Sequence, residues 1–351
     1  MSKRKLSRQQ THRVQRIQEE RIARAGKRDA ATSALLESGA LGAEQEGLVI
    51  AHYGTQIDVE ALQGDSRGLV LRCHMRANLE HLVTGDRVIW QAPTPTEGQS
   101  ESAGSSIGVV TALLPRSTLL VRPDPYGKLK PVASNIDLIL LVISPYPEVS
   151  ALLIDRYLVA CELTGIKPVI LLNKTDLLTP ESTIQMDALL AQYEAIGYAT
   201  RRVSASAGQL ADMQDLIGTQ TVVLVGQSGV GKSSLLNVLL PDAAQRVAEI
   251  SSNSRLGQHT TTTARLFHMP SGGDIIDSPG IREFGLWHVD EEQLLSGYVE
   301  FQPFLGSCRF RNCAHRNEPG CALKLAVTEG HIAASRFERF QILREGLERP
   351  G

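Results

Sequence analysis

Thr221-Val-Val-Leu-Val225 runs directly into Gly226-Gln227-Ser228-Gly229-Val230-Gly231-Lys232-Ser233-Ser234, and the helical pattern Leu235-Leu-Asn-Val-Leu-Leu240 follows. An apolar run of strand length, a glycine-spaced turn and a helix, in that order, predict one unit of a doubly wound α/β sheet with a phosphate-binding loop. The glycines let backbone N–H groups wrap a phosphate, and the helix N-terminus adds partial positive charge. Lys232 is spaced to reach β- and γ-phosphates, and the Ser233 hydroxyl to ligate Mg²⁺. Gly226, Gln227, Ser228, Gly229, Val230, Gly231, Lys232, Ser233 and Ser234 are therefore candidate nucleotide ligands.

The loop alone does not choose a base. Upstream, Pro168-Val-Ile-Leu-Leu172 predicts a buried strand that ends in Asn173-Lys174-Thr175-Asp176. At the C-terminal end of a strand in an open α/β sheet, such a carboxylate can accept bonds from guanine N1–H and N2–H₂. Adenine offers neither donor and would leave Asp176 unpaired, which selects guanine. Asn173 can bond the base edge, and the Lys174 stem can cover its face. Val203-Ser204-Ala205 can present a backbone N–H to guanine O6.

On the other side of the loop, Gly273-Asp-Ile-Ile276 predicts a short strand ending in Asp277-Ser278-Pro279-Gly280. Asp277 is placed to hold Mg²⁺, and the Gly280 N–H to sense a γ-phosphate. Between them lies Gly257-Gln-His259-Thr-Thr-Thr-Thr263, a switch-like run in which Thr262 is the favoured Mg²⁺ ligand. Ile281 stands where a water-orienting glutamine is common, so another group or a partner must position the attacking water. His259 is the local candidate, and a plain solvated histidine is the competing reading. The order along the chain is base motif, phosphate loop, switch. A standard small GTPase begins with the phosphate loop and ends with the base motif, so this domain is predicted to be circularly permuted, as is feasible when the native ends lie close together.

Outward from this core the patterns change. Gly47–Gly54, Gln56–Ala61, Gly68–Met75, Asp86–Gln91 and Ser106–Leu114 are five strand candidates, separated by turns and by the Pro/Gly/Ser-rich stretch 92–106. Five short strands fit a small barrel of the OB type, although other small barrels share that count. Tyr53 and Trp90 are its only two large aromatics of stacking type and read as core or rim residues. The first 30 residues hold ten Lys/Arg against three Asp/Glu, a local charge of +7. With −2 overall, the remaining 321 residues carry −9. Such an arm contacts RNA or another polyanion, or serves only as a solvated tail.

Near the other end, Cys308, Cys313, His315 and Cys321 fall within 14 residues. Three thiolates and an imidazole make a closed tetrahedral set, structural zinc rather than a catalytic metal with an open position; spacing does not separate zinc from iron. Cys73 and Cys161 are isolated in apolar patterns and read as core thiols. An odd count of five cysteines argues for a reducing, cytoplasmic compartment. The longest apolar run, Leu138–Ile143, is far short of a membrane span, and no apolar core follows the basic start. No coiled coil or repeat appears, so a monomer is expected.

NKTD at 173–176, GQSGVGKSS at 226–234, GQHTTT at 257–262, DSPGIREFGLW at 277–287 and the Cys308/Cys313/His315/Cys321 set, in this order, closely resemble the bacterial small-subunit-dependent ribosome GTPases (RsgA, also called YjeQ). The match covers roughly residues 46–345. The resemblance implies a multidomain α/β plus β protein. A tail would span 1–45, an OB-type five-stranded barrel 46–112, a circularly permuted P-loop GTPase domain 113–285, and a mostly helical zinc-binding domain 286–351. It also implies a GTP hydrolase in late maturation of the small (30S) subunit, bound to 16S rRNA near the decoding centre, stimulated by the subunit and dissociating after other assembly factors have left. His259, Lys232 and Gly280 would then serve catalysis. The competing function is an RNA-binding GTPase acting off the ribosome, on tRNA or a metal cofactor.

Overall fold

The computed structural model describes residues 41–54, 56–76, 79, 81–94, 107–124, 127–241, 264–278, 281 and 289–347. The basic tail, most of the 92–106 stretch, His259, Thr262 and Gly280 lie outside the described residues. The chain divides into two compact units, one ending at Arg116 and one beginning at Ser117.

The first unit is a closed five-stranded barrel. Its strands are β1 (Leu41–His52), β2 (Gln56–Ala61), β3 (Val70–Met75), β4 (Arg87–Pro93) and β5 (Gly108–Leu113). The spatial order β1-β2-β3-β5-β4 closes because β1 pairs with both neighbours. Its first half runs from Leu41↔Pro93 to Leu48↔Arg87 against β4, and its second from Gly47↔Ala61 to His52↔Ile57 against β2. One strand can serve both edges only if it is long, and β1 accordingly starts six residues before the first β-like periodicity at Gly47. β3 and β5 are parallel, the pairing that gives the barrel its OB connectivity. Trp90 is fully buried among Val49, Val59, Cys73 and Val110. Glycine makes room for it: a Cβ at Gly47 would stand 2.5 Å from the indole nitrogen and from Val59. Tyr53 stays on the rim, 4.3 Å from the Arg72 guanidinium.

The second unit opens with a hairpin, β6 (Leu119–Pro123) and β7 (Leu129–Ser134), which no sequence pattern singled out. Six strands then form one sheet: β8 (Leu138–Ile143), β9 (Lys167–Leu172), β10 (Ala199–Arg202), β11 (Thr221–Val225), β12 (Arg265–His268) and β13 (Asp274–Asp277). In space they run β10-β9-β8-β11-β13-β12, all parallel except β12. All six residues of β8 are buried, as befits a central parallel strand covered on both faces. The phosphate-loop strand β11 comes fourth in this series along the chain yet lies inside the sheet, between β8 and β13. The permutation expected from motif order is thus built into the strand order.

Helices α1 (Ala151–Thr164), α2 (Pro180–Glu194), α3 (Ala211–Ile217) and α4 (Lys232–Leu239) accompany the sheet. Gly165, in the left-handed region, ends α1. Thr179 and Ser182 form a reciprocal cap on α2, with Pro180 in its first turn. The C-terminal region adds α5 (Glu291–Ser296), a 3₁₀ segment Val299–Phe304, α6 (Ala322–Thr328) and α7 (Ala334–Leu347). Its core is aromatic: Tyr298 stacks on Phe301 at 4.7 Å, and Phe340 meets Phe301 edge-on at 5.3 Å. After Cys321 the chain forms two helices separated by a turn at Gly330, where φ is 81°; Ile332 and Phe340 are buried.

Candidate functional site

Because β9, β10, β11 and β13 are parallel, the segments leaving their C-terminal ends emerge on one edge of the sheet. Those segments are Asn173–Asp176, Ser204–Ala205, the loop 226–231 and Asp277. Motifs scattered over a hundred residues thereby meet where open α/β sheets bind ligands.

The loop is wound tightly enough to exclude side chains. Gly226, Gly229 and Gly231 have φ of 137°, 83° and 97°. A Cβ on Gly226 would overlap the Val142 carbonyl, and one on Gly231 would overlap the Asn173 amide nitrogen. Gln227, Ser228 and Gly229 form an exposed lip, Val230 is buried beneath it, and Ser233 and Ser234 are exposed on the first turn of α4. Lys232 is buried, and its Nζ donates to the carbonyls of Gly226 at 2.6 Å and Gln227 at 2.7 Å. The ammonium therefore lies along the inner rim of its own loop, where the loop N–H groups would gather anionic oxygens.

The base motif is tied to this loop. Asn173 is buried; its Nδ2 donates to Val230 O at 3.0 Å, and its Oδ1 accepts from Ala205 N at 3.3 Å. Its amide thus braces the phosphate loop and the Ser204–Ala205 turn, engaged at both ends, in addition to whatever base-edge contact the motif suggests. Lys174 takes φ 60° and donates from Nζ to Tyr146 O at 2.9 Å and Gly229 O at 2.6 Å, laying its stem across the site. Thr175 Oγ1 donates to Val203 O at 3.1 Å, joining the segments that follow β9 and β10. Asp176 is exposed, and the Ser204 hydroxyl donates to its Oδ1. Hydroxyls of Ser204 and then Ser206 hold its carboxyl below the usual carboxylate range, keeping it an acceptor. Ser206 and the Tyr146 carbonyl were not legible in the sequence, since nothing local marks a residue that supports another motif.

Asp277 ends β13 half-buried, and Ser278 is buried behind it. Ile281 is buried, its N–H donating to Ser278 O at 3.0 Å. It directs no polar atom at water, in keeping with its apolar side chain. Helix α1 closes one flank: Leu153, Ile154 and Tyr157 line an apolar cavity whose other wall includes Gly226, Gln227 and Val230.

In the C-terminal region the ligand atoms of Cys308, Cys313, His315 and Cys321 all lie within 4.8 Å of one another. His315 Nδ1 is 3.6 Å from Cys308 Sγ and 3.4 Å from Cys321 Sγ. A left-handed backbone at His315 (φ 55°) turns its ring back into the cluster. Burial lowers its pKa and so favours the neutral, ligating imidazole. The Ala322 N–H points at Cys308 Sγ from 3.3 Å. Outside this shell, Gln341 Nε2 donates to His315 O at 2.9 Å and Arg344 to Ala314 O, so α7 holds the ligand loop. The donor set fits one closed, structural zinc ion.

A family model described as RsgA GTPase matches residues 113–287. "Small ribosomal subunit biogenesis GTPase RsgA" of Pseudomonas savastanoi pv. phaseolicola is 52% identical over 348 residues, spanning 99% of this chain and 98% of that protein. The protein of the same name from Hahella chejuensis is 51% identical over 349 residues, spanning 99% and 97%. Among solved structures, YjeQ from Thermotoga maritima superposes with TM-score 0.69 at 29% identity, covering 88% of this chain and all of that one. YloQ, described as a circularly permuted GTPase, gives 0.67 at 29% identity, covering 88% and 97%.

Proposed function

Because this chain belongs to the RsgA GTPase family, we propose that it hydrolyses GTP as a step in biogenesis of the small ribosomal subunit. The observation that carries the GTP half of this reading is the set of braces between the base motif and the phosphate loop. Asn173 and Lys174 each hydrogen-bond a loop carbonyl, so occupation of the base subsite and the shape of the phosphate cradle are coupled. Asp176, kept ionised by Ser204, takes guanine N1–H and N2–H₂. The Ala205 N–H, which donates to Asn173 Oδ1 at 3.3 Å, would turn to O6 when guanine binds. The loop N–H groups and Lys232 hold the β- and γ-phosphates. Mg²⁺ would be held by Ser233, Asp277 and Thr262, and supplies charge neutralisation on the phosphates. Zinc, held by Cys308, Cys313, His315 and Cys321, would fix the C-terminal fold and take no part in hydrolysis.

Ile281, at the position where a water-orienting glutamine is common, is buried and apolar. Hydrolysis is therefore slow until the small subunit docks and fixes His259 or another group beside the γ-phosphate, with the Gly280 N–H completing the contact. The barrel and the zinc-bearing region supply contacts to 16S rRNA, and the basic tail adds counterion release. After hydrolysis the affinity drops, and the protein dissociates once other assembly factors have left. It acts as a cytoplasmic monomer; no helix among the described residues is long and apolar enough to cross a membrane.

The test is GTP turnover with small subunits, large subunits, free rRNA, and none. Stimulation of at least ~10-fold by small subunits alone, about 1.4 kcal/mol off the barrier, supports the reading. Equal rates in every tube would remove the ribosome from it and favour a GTPase acting on another RNA.

A further inference from the structure

Helix α1 belongs to two cores at once. Leu153, Ile154 and Tyr157 face the apolar cavity against the phosphate loop. At 100° per residue, Asp155 and Val159 point to the opposite side of the same helix. Val159 packs in the C-terminal core with Leu294, Tyr298 and Phe340, and a Cβ at Gly297 would overlap it.

Asp155 anchors this second face. Its side chain is fully buried, and three side chains from two other helices, α7 and α2, converge on it. Arg336 Nη1 donates to Oδ1 at 2.6 Å, Arg339 Nε donates to Oδ2 at 2.5 Å, and Tyr193 OH donates to Oδ1 at 2.6 Å. Arg336 is itself buried and paired a second time, with Nε and Nη2 donating to the two Glu300 oxygens at 2.7 and 3.1 Å, while Tyr298 lies 4.5 Å from its guanidinium. Burial works against the charge on Arg336, but the Glu300 bonds and the Asp155 charge outweigh it, so its pKa is raised. Such a pair tolerates little change of geometry, because each charge, once moved off its partner, is left desolvated. Neither Asp155 nor any of its hydrogen-bond partners is a nucleotide or metal ligand, and packing alone would be served by apolar residues. Close-packed interiors transmit displacement, so a shift of α7 is delivered through Asp155 to α1 and to the wall of the phosphate loop.

We propose that Asp155, gripped by Arg336 and Arg339, is a positioning residue through which the C-terminal region and the phosphate loop act on each other. The partner's push on the zinc-bearing region then reaches the nucleotide. By linkage, the identity of the nucleotide is felt in α7 by the same factor. The stimulated-turnover arm rests on the subunit-dependent reading given above.

The test uses the full chain loaded with zinc and compares wild type, Asp155→Asn and Arg339→Gln. Asn keeps hydrogen bonding to Tyr193 and removes the charge. Arg339 is the more exposed arginine, so its variant keeps the Arg336–Glu300 pair if Asp155→Asn folds poorly. Both variants are expected to bind GDP and turn over GTP unaided within about twofold of wild type, while small-subunit stimulation falls at least ~10-fold, equivalent to about 1.4 kcal/mol. Unchanged stimulation in a folded variant, even one with a lowered melting temperature, overturns the proposal and leaves Asp155 a structural residue. A second readout needs no ribosome: hydrogen exchange of α7 amides with GDP against a non-hydrolysable GTP analogue. Wild type is expected to show a nucleotide-dependent difference that Asp155→Asn abolishes, and the absence of any difference in wild type also overturns the proposal. If wild type is not stimulated by subunits but α7 does respond to nucleotide, the ribosomal reading fails and the coupling stands.

Discussion

Replacing the loop glycines one at a time by alanine separates backbone strain from collision, because the three positions differ in what a Cβ would meet. At Gly229 the backbone is left-handed (φ 83°), but a Cβ would only touch Pro147 Cδ at 3.5 Å, an ordinary contact. The cost is then conformational alone, about 1–2 kcal/mol. At Gly231 (φ 97°) a Cβ would in addition drive out the Asn173 amide, which donates to Val230 O at 3.0 Å. Losing that buried bond adds about 1–3 kcal/mol, for about 2–5 in all. A free loop can relax to relieve the strain, but the phosphate cradle must be restored when nucleotide binds, so the cost appears in affinity. At 1.4 kcal/mol per decade, Gly229→Ala should weaken GDP binding by about 5- to 30-fold and Gly231→Ala by about 30- to 4,000-fold. Gly226→Ala belongs with the second group, since its Cβ would overlap the Val142 carbonyl, which is backbone and cannot rotate away. The assay is titration with a fluorescent GDP analogue, with thermal melts to confirm folding. If Gly231→Ala binds within about fivefold of wild type, or more tightly than Gly229→Ala, the link between the base motif and the loop is wrong.

Asp176→Asn should weaken GTP by at least ~100-fold and improve binding of xanthosine triphosphate, whose base presents an acceptor where guanine has its amino donor; competition binding reads both. The depressed Asp176 carboxyl should keep its contribution to stability above the ordinary carboxylate value of about 3.9 and lose it as pH falls through its lower folded value. Ser204→Ala should move that titration upward in the carboxyl ¹³C shift, and no movement would mean that the hydroxyl does not hold the charge. Arg336→Leu should cost about 3–5 kcal/mol in urea unfolding of the second unit, because Asp155 and Glu300 are left buried without their shared partner. Cys313→Ala or chelation should remove zinc and lower the melting temperature of the second unit, read by thermal melts with and without added zinc.

Much of this site was legible because its chemistry is local. A phosphate cradle needs glycines and a lysine within eight positions, and a closed zinc set needs four soft ligands within a short loop. Both are visible as spacing. The permutation was also readable, because motif order is covalent and no folding event can alter it. The barrel strands were found from alternation, but the start of β1 was not: Leu41–Glu46 alternates poorly, and its pairing with β4 is what makes it a strand. Sequence left Trp90 as core or rim, and Gly47 and Gly108 beside it decide for the core.

What tertiary structure alone decided are the long-range pairs. Asn173 meets Val230 across 57 residues, Ser204 meets Asp176 across 28, and Arg336 meets Asp155 across 181. No spacing rule connects such positions. Each contact depends on the register of parallel strands or on which face a helix turns toward its neighbour, quantities fixed by packing of the whole unit. Sequence by itself therefore determined which chemical groups the protein carries and in what order. The fold decided which of them brace one another, because a side chain's partner is set by the three-dimensional path of the backbone and not by its distance along the chain.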